Sequence, residues 1–331
     1  MSQKATIARI LAPTDFSPFA EVACTLAARL ANRLDAALVL FHAVPIPDMT
    51  RHIGGAKGRT REAVLSASGV SVREWFEAVV PKECWGFLAI EVQVTVGEPA
   101  LEIASVAAAS RAELIVMGTH GRSGIGHRPV GSVTESVLRA AAVPVLALRR
   151  GHLRVPLTEV RRILWATDLS PTSEGAFRYA LALADALSAE VFLFHVVDSG
   201  EVAEHAEAPT SPPRDRLEPE RAGLDRELGR REEQVAALGV RARRKVVIGV
   251  PAERILAEAR AERADLIVMG TRAPTGPSHS LLGSVAKTVI RKAPCPVLVV
   301  RERGWGRPEE SGPARAWALA GGAGGGRGPA G

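Results

Sequence analysis

Short apolar runs alternate with longer segments of helical periodicity through most of the chain. A short apolar run predicts a buried strand, and apolar residues three and four positions apart predict one face of a helix. In the first half, strands are predicted at 7–12, 37–44, 90–96, 114–117 and 145–148. Helices are predicted at 18–34, at 60–80, from Pro99 onward and at 133–142. Ser17 is a suitable N-cap for the first helix, and Pro18 is a suitable first residue.

The second half of the chain repeats the first. The offset is 153 residues between Asp15 and Asp168 and 152 residues between Gly118 and Gly270, so a single-residue gap relates the two copies. The matching stretches are 10–18 with 163–171, 40–44 with 193–197, 96–100 with 248–252, 114–119 with 266–271, and 143–146 with 295–298. This period is far longer than that of a solenoid repeat and indicates duplication of a whole domain.

The alternation and the repeat together predict the fold class. Strands that alternate with helices pair in parallel through right-handed crossovers, which gives a doubly wound α/β sheet. We therefore expect two five-stranded α/β domains in tandem, at 1–151 and 159–302. The remaining segment, 303–331, is rich in Gly, Ala and Arg without periodicity and is predicted to be disordered.

A glycine-rich loop follows the predicted strand at 114–117 and leads into the helix at 133–142. Its fixed points are Gly118, Gly121, Gly131 and Ser132, in the spacing Gly-x2-Gly-x9-Gly-Ser. Glycine allows the backbone to approach a ligand closely, and the N–H groups at a helix N-terminus attract phosphate oxygens. The loop is therefore a candidate phosphate site, and the alternative is a purely structural turn before the helix.

This spacing, together with the Pro-Thr-Asp-Phe-Ser segment at 13–17, resembles the nucleotide-binding subgroup of the universal stress protein family. The resemblance extends over 4–150 and again over 159–302. It implies a fold like that of the adenine-nucleotide alpha hydrolases, with strand order 3-2-1-4-5 in each copy. The loops after strands one and four would then meet where ligands bind in open α/β sheets. It also implies an adenine nucleotide as ligand, ATP with or without Mg²⁺, and two domains paired through their last strands. That pair would be internal to the chain, with a homodimer as a further form.

The resemblance carries over to individual residues of the first copy. The nucleotide-binding residues that it implies are Pro13, Thr14, Asp15, Ala43, Met117, Gly118, Gly121, Arg122, Gly131, Ser132 and Val133. Two of them have an alternative role: Asp15 could instead hold the turn before the first helix, and Arg122 could be a solvated loop charge. His42 and His195 are interpreted as histidines at the end of the core whose nitrogens bond neighbouring groups. A metal site is not indicated, because no partner stands at ligand spacing.

The second copy departs from the glycine pattern. Ala273 stands at the second glycine position, and Pro274 and Pro277 lack the N–H group that a phosphate would accept from. A weaker second site is therefore predicted, at Asp168, Val196, Gly270, Gly283 and Ser284.

Composition and charge exclude several other functions. The chain has 331 residues, 47% hydrophobic and 24% charged, as is typical of a globular protein of two domains. The net charge of +6 is spread over both halves and aromatic residues make up only 4%, so nucleic-acid binding is not expected. No apolar run has membrane-spanning length, and we expect a cytoplasmic protein. The three cysteines are far apart, and Cys24 and Cys295 are expected to be buried and inert.

The functional hypothesis from the sequence is an ATP-binding protein that senses or protects against stress through its first domain. No Walker-type phosphate loop and no carboxylate pair for magnesium accompany the glycine loop, so a dedicated ATPase is not predicted. Two alternatives remain open at this point: slow ATP hydrolysis or adenylyl transfer on the same fold, and an interaction protein that binds no nucleotide.

Overall fold

The computed structural model describes residues 7–45, 61–84, 86, 88–120, 131–149, 152, 160–198, 213–271 and 282–301. The tail at 303–331 lies outside these residues. So do most of both glycine loops, at 121–130 and 272–281.

The first half contains five strands and four α-helices within the described residues. They are β1 (Arg9–Pro13), α1 (Pro18–Leu34), β2 (Ala37–Val44), α2 (Arg61–Val79), β3 (Ile90–Val96), α3 (Pro99–Ala109), β4 (Leu114–Gly118), α4 (Ser132–Ala140) and β5 (Val145–Leu148). A short 3₁₀ turn, Lys82–Cys84, follows α2.

The second half repeats this order. Its elements are β6 (Arg162–Thr167), α5 (Pro171–Leu187), β7 (Glu190–Asp198), α6 (Pro213–Ala237), β8 (Ala242–Gly249), α7 (Pro251–Ala261), β9 (Leu266–Gly270), α8 (Ser284–Lys292) and β10 (Val297–Val300). The repeat of α/β elements that the sequence predicts is therefore confirmed.

The bounds of most elements agree with the sequence pattern, and α1 shows why. The Ser17 side chain accepts a hydrogen bond from the Ala20 N–H, and Pro18 occupies the first helical position. The helix ends at Asp35, which adopts the left-handed conformation. β1 differs from the strand predicted at 7–12: it begins at Arg9, opposite Ala37 of β2, and continues through Pro13.

All ten strands form one sheet, in the order β3-β2-β1-β4-β5-β10-β9-β6-β7-β8. Within each half the pairing is parallel, and the order is the 3-2-1-4-5 that the resemblance implies. The halves join where β5 and β10 pair antiparallel, with Leu298 opposite Leu146. The carboxyl ends of parallel strands lie at the same edge of the sheet. Because β1 and β4 are parallel neighbours, the loops that follow them lie side by side.

Helices cover both faces of the sheet. One buried cluster lies beneath α1, α2, α5 and α6, and a second lies beneath α3, α4, α7 and α8. Each cluster contains residues of both halves, and the central strands β1 and β4 are buried on both faces. The edge strands β3 and β8 are only partly buried. Among the described helices, none combines the length and apolar character needed to cross a membrane.

Candidate functional site

The turn after β1 is built by its own side chains. Phe16 adopts a positive φ of 63°, which is unusual for a bulky residue. Its N–H donates to Thr14 Oγ1 at 3.0 Å, and the Ser17 N–H donates to Asp15 Oδ1 at 3.0 Å. One oxygen of the Asp15 carboxylate thus holds the turn, which is the structural role that the sequence left open.

The second half builds the same turn. Leu169 has a φ of 59°, and its N–H donates to Thr167 Oγ1 at 2.9 Å. The Ser170 N–H donates to Asp168 Oδ1 at 3.0 Å. Because Phe and Leu take the same strained conformation in the two halves, the hydroxyl and carboxylate bonds determine this turn and not the bulky side chain.

Each half also ties this turn to its second strand through a histidine. His42 Nδ1 lies 2.8 Å from the carbonyl oxygen of Thr14, and His195 Nδ1 lies 2.8 Å from that of Thr167. A carbonyl oxygen only accepts, so Nδ1 carries the proton in both rings. The interpretation of these histidines as bonded residues at the core end is confirmed. The described residues contain no cluster of three metal-ligating side chains.

Gly118 ends β4 directly beside the first turn of α1. A Cβ atom at this position would lie 2.8 Å from the Cβ of Phe19 and 3.1 Å from the Phe19 carbonyl oxygen. The Phe19 ring also stacks on the His120 ring, with centroids 5.3 Å apart. The loop after β4 and the helix after β1 therefore touch, and a side chain at Gly118 would separate them.

The two ends of the glycine loop close on each other. The Gly131 N–H donates to the Thr119 carbonyl oxygen at 2.6 Å, and Thr134 Oγ1 donates to the Gly118 carbonyl oxygen at 2.8 Å. Gly131 is the N-cap of α4 and offers no side chain to cap it. The Gly131 N–H is thus engaged within the loop, whereas the N–H groups of Ser132 and Val133 begin the helix and have no intrahelical acceptor.

β2 and β3 contribute further residues at the same edge of the sheet. Ala43 is nearly at the end of β2 and pairs with Thr95 of β3. The Thr95 hydroxyl oxygen is buried and has no hydrogen-bond partner in the described part of the chain. Met117 is 5% exposed and belongs to the same buried cluster as Ala43.

Most of the predicted site residues that the structure describes therefore lie at one edge of the sheet. Pro13, Thr14 and Asp15 lie at the end of β1 and in the turn after it. Met117 and Gly118 end β4, and Gly131, Ser132 and Val133 lie at the start of α4. Gly121 and Arg122 lie outside the described residues. Sequence reasoning missed Phe19, Thr95 and Thr134, whose contacts join different elements and have no local signal.

The second half preserves this arrangement with two differences. Gly270 ends β9, Gly283 is the N-cap of α8 without a side-chain cap, and Ser284 is the first helical residue. Ala286 replaces Thr134, so the hydroxyl that closes the first loop is absent there. Val196 is half-buried on β7 and pairs with Val247, the counterpart of Thr95. Ala273, Pro274 and Pro277 fall outside the described residues.

The two cysteines with described side chains are inert, as the sequence predicts. Cys24 is 0% exposed and Cys295 is 2% exposed. Burial raises the pKa of the Cys24 thiol to about 12, and the nearby Asp15 charge adds to the increase. Burial likewise raises the pKa of the Cys295 thiol to about 12. Neither thiol is therefore ionised near neutral pH.

Comparison with known proteins identifies the family. The universal stress protein family matches the chain twice, at residues 6–149 and 159–301. A universal stress protein of Mycolicibacterium smegmatis is 29% identical over 309 residues, covering 92% of this chain and 100% of that protein. One from Methanocaldococcus jannaschii is 38% identical over 143 residues, covering 43% of this chain and 82% of that protein.

A solved universal stress protein from Archaeoglobus fulgidus has the same fold. It superposes with a TM-score of 0.65 at 22% identity, covering 90% of this chain and 100% of that chain. The two family matches and the two repeats of the α/β unit lead to the same conclusion. This chain belongs to the universal stress protein family, as a tandem duplication of its domain.

Proposed function

We propose that the first half of this protein binds ATP at the carboxyl edge of β1 and β4, and that occupancy of this site reports on stress. The observation that carries the proposal is the start of α4. Its N-cap is a glycine without a capping side chain, and the first helical residue, Ser132, is exposed. The N–H groups of Ser132 and Val133, the Ser132 hydroxyl and the helix dipole suit phosphate oxygens.

The adenosine would lie across the ends of β1 and β2. Asp15 bonds its own turn through Oδ1, and its carboxylate also suits a ribose or adenine donor. The backbone of Ala43 is the candidate partner for the adenine ring. Gly121 and Arg122 complete the proposed set on the loop side, and Met117 supports it from the core.

In this proposal Mg²⁺ binds together with the nucleotide and has no separate site on the protein. Mg²⁺ keeps several waters and binds through phosphate oxygens with few protein ligands. A cation carried by the triphosphate would therefore need few ligands from the chain.

The proposed second site, at Asp168, Val196, Gly270, Gly283 and Ser284, binds ATP more weakly. Asp168 is exposed, whereas Asp15 is partly buried, and Ala286 lacks the hydroxyl that closes the first loop. A buried, closed site strengthens polar contacts to a ligand, because water competes less.

The role in stress rests on contacts between α4 and the second half. Glu135, in the first turn of α4, forms an ion pair with Lys287 at 3.0 Å. At the other end of α4, the carbonyl oxygen of Arg139 accepts a hydrogen bond from Arg301. A phosphate bound at the start of α4 would therefore act on a helix that both halves hold. We propose that the domains at 1–151 and 159–302 work as an internal pair whose arrangement responds to the nucleotide.

Calorimetric titration of the full chain with ATP and AMP, with and without Mg²⁺, tests the binding. Asp15→Asn keeps an acceptor for the turn and removes the charge. Because a hydrogen bond to a charged group contributes about 1.5–3 kcal/mol, we expect about a 10- to 100-fold loss of ATP affinity. Ser132→Ala is expected to weaken ATP binding and to affect AMP less.

The duplication provides matched controls. Asp168→Asn and Ser284→Ala make the same changes in the second half and are expected to leave the tighter binding event unchanged. Absence of ATP binding by the unmodified protein contradicts the proposal and favours the interaction-protein alternative. Phosphate release well above background during the titration favours the ATPase alternative instead.

A further inference from the structure

The junction between the two halves has an approximate two-fold axis. Leu146 and Leu298 are equivalent residues of the two copies, 152 positions apart, and they lie opposite each other in the β5–β10 pairing. On either side, Ala147 pairs with Val297 and Val145 pairs with Val299, which is the same pairing read from the other half. The axis therefore passes through the Leu146–Leu298 pair.

Two equivalent arginines, one on each side of this axis, make similar contacts with the opposite half. Arg149 follows β5 and donates to the carbonyl oxygen of Ala293, just after α8, at 3.2 Å. Its equivalent Arg301 follows β10 and donates to the carbonyl oxygen of Arg139 near the end of α4. Each half thus sends a cation to the helix C-terminus of the other, where the helix dipole favours it. Both halves supply the same arginine, so these contacts do not distinguish one pairing from another.

Only a residue beside the axis meets its own equivalent. Glu135 and Lys287 are such a pair, 152 positions apart in sequence and 3.0 Å apart between Oε1 and Nζ. The duplication has placed a carboxylate at this position in the first copy and an ammonium group in the second. Both side chains are partly exposed, at 27% and 47%, so the pair is sensitive to salt.

We propose that this charge pair selects the partner of each half: it favours the other half and disfavours the equivalent half of a second copy. Pairing two first halves would place Glu135 against Glu135, and pairing two second halves would place Lys287 against Lys287. Like charges in contact oppose an interface, and opposite charges favour it, so the pair acts in both directions. The inference concerns pairing alone and does not depend on nucleotide binding.

Each half also contributes one donor to the junction that the other half lacks. The Tyr179 hydroxyl of α5 donates to the carbonyl oxygen of Glu113 at 3.1 Å, and the equivalent residue of the first copy is Leu26, which has no donor. His152 Nε2 donates to the carbonyl oxygen of Ala293 at 3.1 Å, and its equivalent is a glycine at 304. Both bonds end on a backbone carbonyl oxygen, which the equivalent residue of either half also carries, so they do not distinguish one pairing from another.

Charge reversal in the full chain tests the proposal. Lys287→Glu and Glu135→Lys each place like charges at the axis and are expected to lower the urea midpoint, with a smaller loss at high salt. The exchange of both, Glu135→Lys with Lys287→Glu, restores opposite charges and is expected to restore the midpoint. Glu91→Lys is the matched control, since Glu91 pairs with Arg9 inside the first half at 3.4 Å. This control is expected to leave the molar mass of the protein in solution unchanged, as measured by light scattering after gel filtration.

Mixing separates partner choice from stability. The Lys287→Glu chain has acid at both positions and the Glu135→Lys chain has base at both. Refolded together at high concentration, they are expected to form mixed dimers by exchange of halves, several-fold more than either chain alone, as measured by light scattering after gel filtration. A dimer fraction in the mixture no higher than in the separate chains overturns the proposal. Failure of the double exchange to restore the midpoint also overturns it.

Discussion

Individual residues set the shape of the candidate site. Thr14 and Asp15 each bond an N–H group two residues ahead and hold Phe16 in the left-handed region. The absent side chain of Gly118 makes room for Phe19. Thr95 stands apart, because its hydroxyl oxygen is buried with no partner among the described residues. A buried polar atom without a partner lowers stability.

Replacement of Thr95 by Val is therefore expected to stabilise the protein. Val has the same shape and removes the unpaired hydroxyl, so the free energy of unfolding should rise by about 1 kcal/mol. The second half provides the reverse change, because Val247 occupies the equivalent position opposite Val196. Val247→Thr should lower the free energy of unfolding by a similar amount. Urea denaturation measures both, and a destabilised Thr95→Val protein would show that this hydroxyl has a partner in solution.

At the scale of helices and strands, the two copies use the same elements with different packing. Trp165 and Phe177 fill the space between β6 and α5, with ring centroids 4.6 Å apart, where the first copy has Ala12 and Cys24. Gly175 of α5 stands where α1 has Val22. A Cβ atom at Gly175 would lie 3.5 Å from Val300 Cγ1, which is an ordinary contact distance.

Two glycine substitutions should therefore have opposite effects. Gly175→Ala removes a helix-interior glycine without a clash, and the free energy of unfolding should rise by about 0.5–1 kcal/mol. Gly118→Ala places a Cβ atom 2.8 Å from Phe19 Cβ and forces the start of α1 away from β4, at a cost of about 1–3 kcal/mol. Thermal and urea unfolding of the two variants measure the difference. Equal shifts of the same sign would contradict this account of the β4–α1 contact.

At the scale of the whole molecule, the two halves share one sheet, and a buried histidine forms hydrogen bonds at the junction between them. His152 is 2% exposed and accepts a hydrogen bond from the Arg149 N–H at 3.0 Å while it donates to Ala293 of the other half. Burial lowers the pKa of His152 to about 4, the bond to Ala293 opposes this and the Arg149 charge adds to it. The neutral ring therefore fits the junction, and the charged ring does not.

Acid should accordingly weaken the molecule through this residue. The unfolded chain takes up the His152 proton near pH 6.5 and the folded chain only near pH 4, so the unfolded state binds more protons between these values. Stability from this group is complete above about pH 6.5 and falls by up to about 1.4 kcal/mol per pH unit toward pH 4. Urea unfolding of the protein and of His152→Gln across this range measures the difference. Parallel profiles would show that His152 does not titrate differently on folding.

Much of the architecture was determined by the sequence alone. The order of elements, the duplication, the N-cap at Ser17 and the buried thiols follow from periodicity, spacing and local chemistry. The bounds of β2, β3 and β5 are those predicted. These features are local, because a cap or an apolar run depends on residues close together in the chain. The same holds for the set of residues proposed at the glycine loop, whose spacing is visible in the sequence.

Only the tertiary structure decided which groups meet. Phe19 against Gly118, Thr95 beside Ala43, and Glu135 against Lys287 join elements that are distant in sequence, and no local pattern encodes such contacts. The structure also determined that the Gly131 N–H bonds Thr119, so that the donors without an intrahelical acceptor at the start of α4 belong to the residues after it. The physical reason is that sheet order and register fix these distances, and both arise from the packing of the whole chain.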